Sequence, residues 1–211
     1  MNAKPADYRI LHADERILVV DKPTRMLSQP GVGADKKDSL ITRLQLSHPG
    51  ARIVHRLDWE TSGLMVIALD AAAHRALSIQ FQERQTQKTY IAVVQGHLAA
   101  AEGLIDAPLA ANWLDKPRQM VSVEGRPSQT YWRRLELGEN STRVELKPVT
   151  GRSHQLRVHM LHLGHPILGD GLYAPPEALA AAPRLLLHAA ELGFTHPATG
   201  EWILQCSEVP F

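Results

Sequence analysis

Leu146-Lys147-Pro148-Val149-Thr150-Gly151-Arg152-Ser153-His154-Gln155-Leu156-Arg157-Val158-His159-Met160 carries two periodicities. Its first part belongs to a β-rich run, Arg143–Val149. Its second part reads as a helix that starts at Ser153, packs Leu156, Met160 and Leu163, and stops at Gly164. Upstream, the turn residues Gly138-Glu139-Asn140-Ser141 join this strand to another, Gln129–Leu137. Strand-like runs at Gln119–Val123 and Lys88–Gly96 precede those two. Nearer the start, Ile10–Leu11 and Ile17–Val20 flank Ala13-Asp14-Glu15 as a hairpin. Asp38 or Ser39 can cap a short helix carrying Leu40 and Leu44, and Asp70 a longer one through about Gln85, with Ala73, Leu77 and Phe81 on one face. Thr61-Ser62-Gly63 reads as a turn before the run Leu64–Leu69. Beyond the quoted stretch, Pro175–Ala182 reads as a short helix, and Leu185–Ala189 and Trp202–Gln205 as closing strands. Strands outnumber helices and short turns join neighbours. The pattern predicts an α+β fold with a largely antiparallel sheet and no βαβ alternation.

The composition narrows the function classes. With 211 residues, the chain is one domain or two small ones, long enough to bury a core without staples. One cysteine, Cys206, excludes a disulfide framework and a Cys-rich zinc site. The longest apolar run, Leu64–Leu69, is too short to span a bilayer, and Met1–Asp7 lacks the apolar stretch of a secretion signal. A cytoplasmic protein is expected. The net charge of +1 does not by itself point to a polyanion. Between Arg118 and Arg157, however, eight basic residues face four acidic ones. Such a local excess suits either a solvated surface or a polyanion face.

Several common chemical motifs are absent: the GxxxxGK[ST] loop, a GxGxxG after a strand, the GxSxG elbow and HExxH. Four histidines, His154, His159, His162 and His165, crowd one segment. On a helix His154 and His159 point apart, and no carboxylate lies nearby until Asp170, so no metal site is expected. His55-Arg56-Leu57-Asp58 is the most unusual segment, with opposite charges two residues apart just before an apolar strand. It reads as a surface Arg–Asp pair, or as a nucleophilic or general-base aspartate beside cations that keep it ionised.

The long stretch quoted first continues as Leu163-Gly164-His165-Pro166-Ile167-Leu168-Gly169-Asp170. With His55-Arg56-Leu57-Asp58, followed by Thr61-Ser62-Gly63, it resembles the RluA family of pseudouridine synthases. Val19-Val20-Asp21-Lys22-Pro23 matches that family's first motif and Arg184-Leu185-Leu186-Leu187-His188-Ala189 its last, all in the family's order. The resemblance implies the family's fold: a long mixed, mostly antiparallel sheet flanked by helices, with a central cleft. It also implies a single catalytic domain over residues 1–211, without the N-terminal S4 domain of some members. Segments outside the motifs, such as Asp115-Lys116-Pro117-Arg118-Gln119-Met120, resemble the subgroup that modifies both 23S rRNA and the tRNA anticodon stem-loop.

The implied reaction isomerises uridine within RNA and needs no cofactor. The N1–C1′ bond breaks, the base rotates, and it rejoins through C5. Glycoside hydrolysis usually needs two carboxylates; the motif places one, Asp58, while Glu60 lies on its variable part. By resemblance, Asp58 is the catalytic aspartate, Arg157 its cationic partner, and Tyr90 the base-stacking tyrosine that serves C5 proton removal. Arg56 would fill the stack vacated by the flipped uridine or grip a phosphate. His55, Thr61, Arg152 and His154 would bind substrate, and Leu185 or Leu186 would wall the pocket. RNA is the one partner implied, with no membrane and no protein, and a monomer is expected.

Overall fold

The computed structural model describes residues 8–33 and 36–211. The segment Met1–Asp7, read above for a targeting signal, lies outside them. In chain order the elements are β1 Arg9–Ala13, β2 Ile17–Lys22, α1 Leu40–Leu44, β3 Arg52–Ile53, β4 Ser62–Ala68, α2 Ala71–Gln82, β5 Gln87–Gln95 and β6 Glu102–Asp106. Then follow β7 Leu109–Ala111, β8 Gln119–Val121, β9 Gln129–Leu137, β10 Ser141–Pro148, α3 Gln155–His162, α4 Pro176–Ala180, β11 Leu187–Thr195 and β12 Trp202–Cys206. The fold is α+β, as the strand-rich reading predicts. Among the described residues no helix is long and apolar enough to cross a membrane. The chain divides into two compact units, Met1–Lys88 with Ala189–Pro210, and Thr89–His188 with Phe211.

In the first unit β2 lies between β1 and β4, β4 between β2 and β11; β12 pairs with β11 and β3 with β4. All seven residues of β4 are buried, which is why its sequence runs apolar instead of alternating. Val19 sits opposite Val66 across the β2–β4 ladder. These two join Ile17, Leu64, Leu77 and Phe194 in one core cluster. Helix α2 begins where Asp70 accepts from the amides of Ala72 and Ala73, at 2.8 and 2.9 Å. It then presents Ala73 and Leu77 to that core. At the start of α1, Ser39 and Thr42 form a reciprocal capping box.

In the second unit β5, β10, β9 and β6 pair in that order, all antiparallel. Buried Val144 and Leu146 of β10 pack with Ala92, Val94 and Trp132, and α3 adds Leu156 and Met160. Truncating the fully buried Leu146 to Ala would cost about 2–5 kcal/mol. Strands β7 and β8 form a separate two-stranded ribbon.

Four expectations need correction. Ser62-Gly63 is not a turn but the start of β4. Gly63 has φ +113°, and a Cβ there would lie 2.3 Å from the carbonyl oxygen of Ala189, so the close strand approach demands glycine. Helix α3 starts at Gln155, and Leu163 is 36% exposed instead of packed. The sequence reading has no strand at β6 or β7, whose β-branched signal is weak: Glu102–Asp106 holds one such residue, Ile105, and Leu109–Ala111 holds none. β11 continues through Glu191 to Thr195.

Candidate active site

Asp58 stands in the loop before β4, half-buried. The main chain on both sides of it is clamped by residues 22–28. Ser28 Oγ donates to the Leu57 carbonyl at 2.7 Å and accepts from the Leu57 amide at 3.1 Å. Thr24 Oγ1 donates to the Glu60 carbonyl at 2.7 Å. Lys22 is completely buried, and its ammonium donates to the carbonyls of Met26 at 2.9 Å, Pro23 at 3.0 Å and Trp59 at 3.4 Å. A buried ammonium is tolerated where carbonyl oxygens replace its water. The Val19–Pro23 motif therefore ends in a side chain that braces the loop of the His55–Gly63 motif.

His55 anchors the same loop from the other side. Its ring stacks on Phe81, centroids 4.4 Å apart at 17°, and Nε2 accepts from the Val66 amide at 3.1 Å. Accepting there leaves the proton on Nδ1. Burial, then the Lys88 charge, pushes the imidazole down to about 3. The ring is neutral at physiological pH. Burial likewise lowers Lys88, with Arg84 adding repulsion. Thr61 is buried, whereas Arg56 and Trp59 are exposed.

In the second unit Arg157 lies inside α3, its side chain 2% exposed, which excludes a role as a surface helix arginine. Nε donates to Asp170 Oδ2 at 2.8 Å and Nη2 to Oδ1 at 2.5 Å. This is the parallel fork that arginine geometry favours. Asp170 Oδ1 also accepts from the amides of Leu172 and Tyr173, at 2.9 and 3.1 Å, so the carboxylate is itself fixed. The Tyr173 ring lies 5.3 Å from the guanidinium carbon. Its hydroxyl is 2.6 Å from His154 Nδ1 and accepts from the Gln119 amide at 2.8 Å. His154 occupies the left-handed region, φ 55°, immediately before α3. Tyr90 sits on β5 opposite Leu146, packed against the core that holds the fully buried Leu185. The structure thus brings together Arg157 and His154, through Tyr173, in one unit.

Arg152 donates its Nε to the Pro127 carbonyl at 3.3 Å. Its amide donates to Gln155 Oε1 at 3.0 Å. Gln155 is buried and also receives the Thr150 hydroxyl, while its Nε2 donates to the Gln129 carbonyl and Thr130 Oγ1. Thr130 in turn faces His159 Nδ1 at 2.9 Å, and His159 Nε2 donates to the Ala107 carbonyl at 3.0 Å. Burial lowers the His159 pKa, in keeping with a neutral ring whose two nitrogens are both engaged. His165 Nδ1 is spent on the Gln95 carbonyl. Among the described residues no group of three His, Cys, Asp or Glu could hold a metal ion.

Sequence reasoning missed Asp170, Lys22, Ser28, Gln155 and Tyr173 as parts of this framework. Asp170 and Lys22 carried a signal, since both lie inside the quoted motifs. A charged residue that closes an apolar run suggests a buried partner.

The pattern of residues 16–162 matches the family model described as RNA pseudouridylate synthase. A curated relative from Escherichia coli (strain K12), the dual-specificity RNA pseudouridine synthase RluA, is 56% identical over 193 residues, 90% of this chain and 88% of that one. The protein of that name from Pasteurella multocida is 47% identical over 196 residues, 92% of this chain and 90% of that one. Among solved structures, human RNA pseudouridylate synthase domain containing 1 gives a TM-score of 0.84 at 31% identity, covering 99% of this chain and 87% of that one. Human RNA pseudouridylate synthase domain containing 4 gives 0.76 at 27%, covering 95% and 88%.

Proposed function

Since the chain belongs to the RNA pseudouridylate synthase family, we propose that Asp58 is the carboxylate that opens the glycosidic bond of a target uridine, with Arg157 and Tyr90 serving the same reaction. Asp58 either attacks the ribose or removes its C2′ proton. Both routes need an ionised carboxylate. The leaving uracil is retained, turned and rejoined through C5, and the C5 proton is lost. Tyr90 stacks on the base and assists that loss. Arg56, exposed beside Asp58, takes the place of the extruded nucleotide or holds a phosphate. Thr61, Arg152, His154 and Leu185 contribute to substrate binding, His55 by holding the loop. The observation that carries this reading is the family match over residues 16–162, which runs through Asp58, Tyr90 and Arg157. The 211 residues act as one catalytic domain, since the relatives align across both compact units.

The relatives' dual specificity supports a finer reading: one enzyme modifies a uridine in 23S rRNA and another in the tRNA anticodon stem-loop, and we propose that it acts as a cytoplasmic monomer. RNA loops are recognised by shape and stacking, so one surface can accept two similar loops. The test incubates purified protein with each transcript and maps pseudouridine by position. Product in both transcripts is expected. Product in one alone refutes dual specificity, and free uracil in place of pseudouridine refutes the isomerase.

A further inference from the structure

The turn between β7 and β8 exposes an indole that the reaction described above does not use. Trp113 is 74% exposed, and its neighbour Leu114 is 99% exposed. Exposure here does not come with a shapeless loop. The Asn112 amide donates to the Arg118 carbonyl at 2.9 Å, the Arg118 amide to the Asp115 carbonyl at 2.9 Å, and the Leu114 amide to Asn112 Oδ1 at 3.2 Å. Arg118 and Asp115 add an ion pair across the turn. The Lys116 ammonium sits 4.4 Å from the Trp113 ring centroid, covering one ring face with positive charge.

We infer that the β7–β8 turn is an RNA-binding platform, on which an unpaired base of the substrate stacks against Trp113 while Lys116 meets the adjoining phosphate. The inference rests on the pseudouridine synthase reading and adds a contact with a nucleotide other than the target uridine. Three observations favour RNA over an apolar partner. The exposed aromatic is paired with a cation, the combination that single-stranded nucleic acid uses. The turn opens the basic stretch that begins at Arg118. The ribbon is also tied to the candidate catalytic framework, because the Gln119 amide on β8 donates to the hydroxyl of Tyr173, whose ring lies against Arg157. A base captured at the turn would therefore sit on a ribbon already fixed near that arginine's own support.

The test measures RNA affinity by filter binding, and single-turnover tritium release from C5-labelled uridine, for wild-type protein, Trp113→Ala, Trp113→Phe and Lys116→Ala. Trp113→Ala is expected to weaken binding of the anticodon stem-loop about tenfold or more, in line with loss of one stacked base. The saturating rate should stay within about twofold. Trp113→Phe should recover most of the affinity, and Lys116→Ala should flatten the salt dependence by about 0.7 in log–log slope. Wild-type affinity in Trp113→Ala overturns the platform, while tritium release by that same variant leaves the synthase reading intact. Binding unaffected by Trp113→Ala, with loss of a dimer in sedimentation, would assign the turn to a second copy of the chain and equally overturn it. Absence of pseudouridine in the wild type with the binding loss still present would refute the synthase reading alone.

Discussion

The loop of Asp58 and the site of Arg157 are held in opposite ways. Around Asp58 the clamps grip main chain: Ser28, Thr24 and Lys22 bind the carbonyls or amides of Leu57, Glu60 and Trp59. Around Arg157 they grip the side chain itself, through both oxygens of Asp170. Removing the Asp58 charge leaves these main-chain clamps in place, because they grip its neighbours. A buried guanidinium fixed through its own head cannot lose its partner so cheaply. Catalytic and structural consequences of mutation should therefore separate in the first region and coincide in the second.

The largest expected effect breaks chemistry in the first region alone. Asp58→Asn should reduce single-turnover tritium release by at least about 10⁴-fold, roughly 5.4 kcal/mol of barrier. The melting temperature and RNA affinity should stay close to wild type, since phosphates and stacking dominate binding. A folded Asp58→Asn protein with near-native release would remove Asp58 from the reaction.

Next in size is Asp170→Ala. It removes the bidentate carboxylate from a buried guanidinium and the acceptor from two amides, a loss of about 3–5 kcal/mol. The urea midpoint should fall at constant m-value, and activity should fall with it. A variant as stable as wild type would show that Arg157 does not need this partner, and the contrast would collapse.

Ser28→Ala sharpens the comparison from the other side. It leaves the buried Leu57 amide and carbonyl without their hydroxyl partner, at about 1–3 kcal/mol. Tritium release should slow about tenfold with RNA affinity unchanged, because the loop is loosened while its chemistry is kept. An equal fall in affinity would mean that the loop binds substrate chiefly through its shape.

The smallest effect is read in pH. His55 titrates near 3 when folded and near 6.5 when unfolded, so between those values the unfolded chain holds the extra proton. Its contribution is fully present above pH 6.5 and is lost as pH falls toward 3. In His55→Phe the slope of unfolding free energy near pH 5 should drop by up to about 1.4 kcal/mol per pH unit. An unchanged slope, from urea titrations at several pH values, would place the titrating group elsewhere, with His159 the first alternative.

Much of this architecture was legible because it obeys local rules. Gln129–Leu137 is bounded by turn residues, and its strand limits match the reading. Asp70 and Ser39 cap helices where their side chains can reach the next amides. Asp58 and Arg157 are singled out only by motif resemblance; no periodicity marks them. What escaped depends on contacts distant in the chain. Gly63 looked like a turn residue because its reason, the backbone of Ala189, is 126 positions away. Asp170 enters the sequence reading only as a carboxylate too distant to help the histidines hold a metal; its partner, Arg157, lies thirteen residues earlier inside a helix. Lys22 reads as a surface lysine in any composition scale; the carbonyls of Pro23, Met26 and Trp59, converging on its ammonium, help make its burial tolerable.

That convergence gives Lys22 a reactivity unlike that of an ordinary lysine. An amine acylates through its unprotonated lone pair, and here the nitrogen is both shielded from reagent and spent on carbonyl oxygens. In the native protein the exposed Lys116 and Lys147 should react with an acetylating reagent within the time that Lys22 stays untouched. Modification of Lys22 then counts the moments when the loop bearing Asp58 lets go, and its rate, read by peptide mass, is a clock for local opening of that loop.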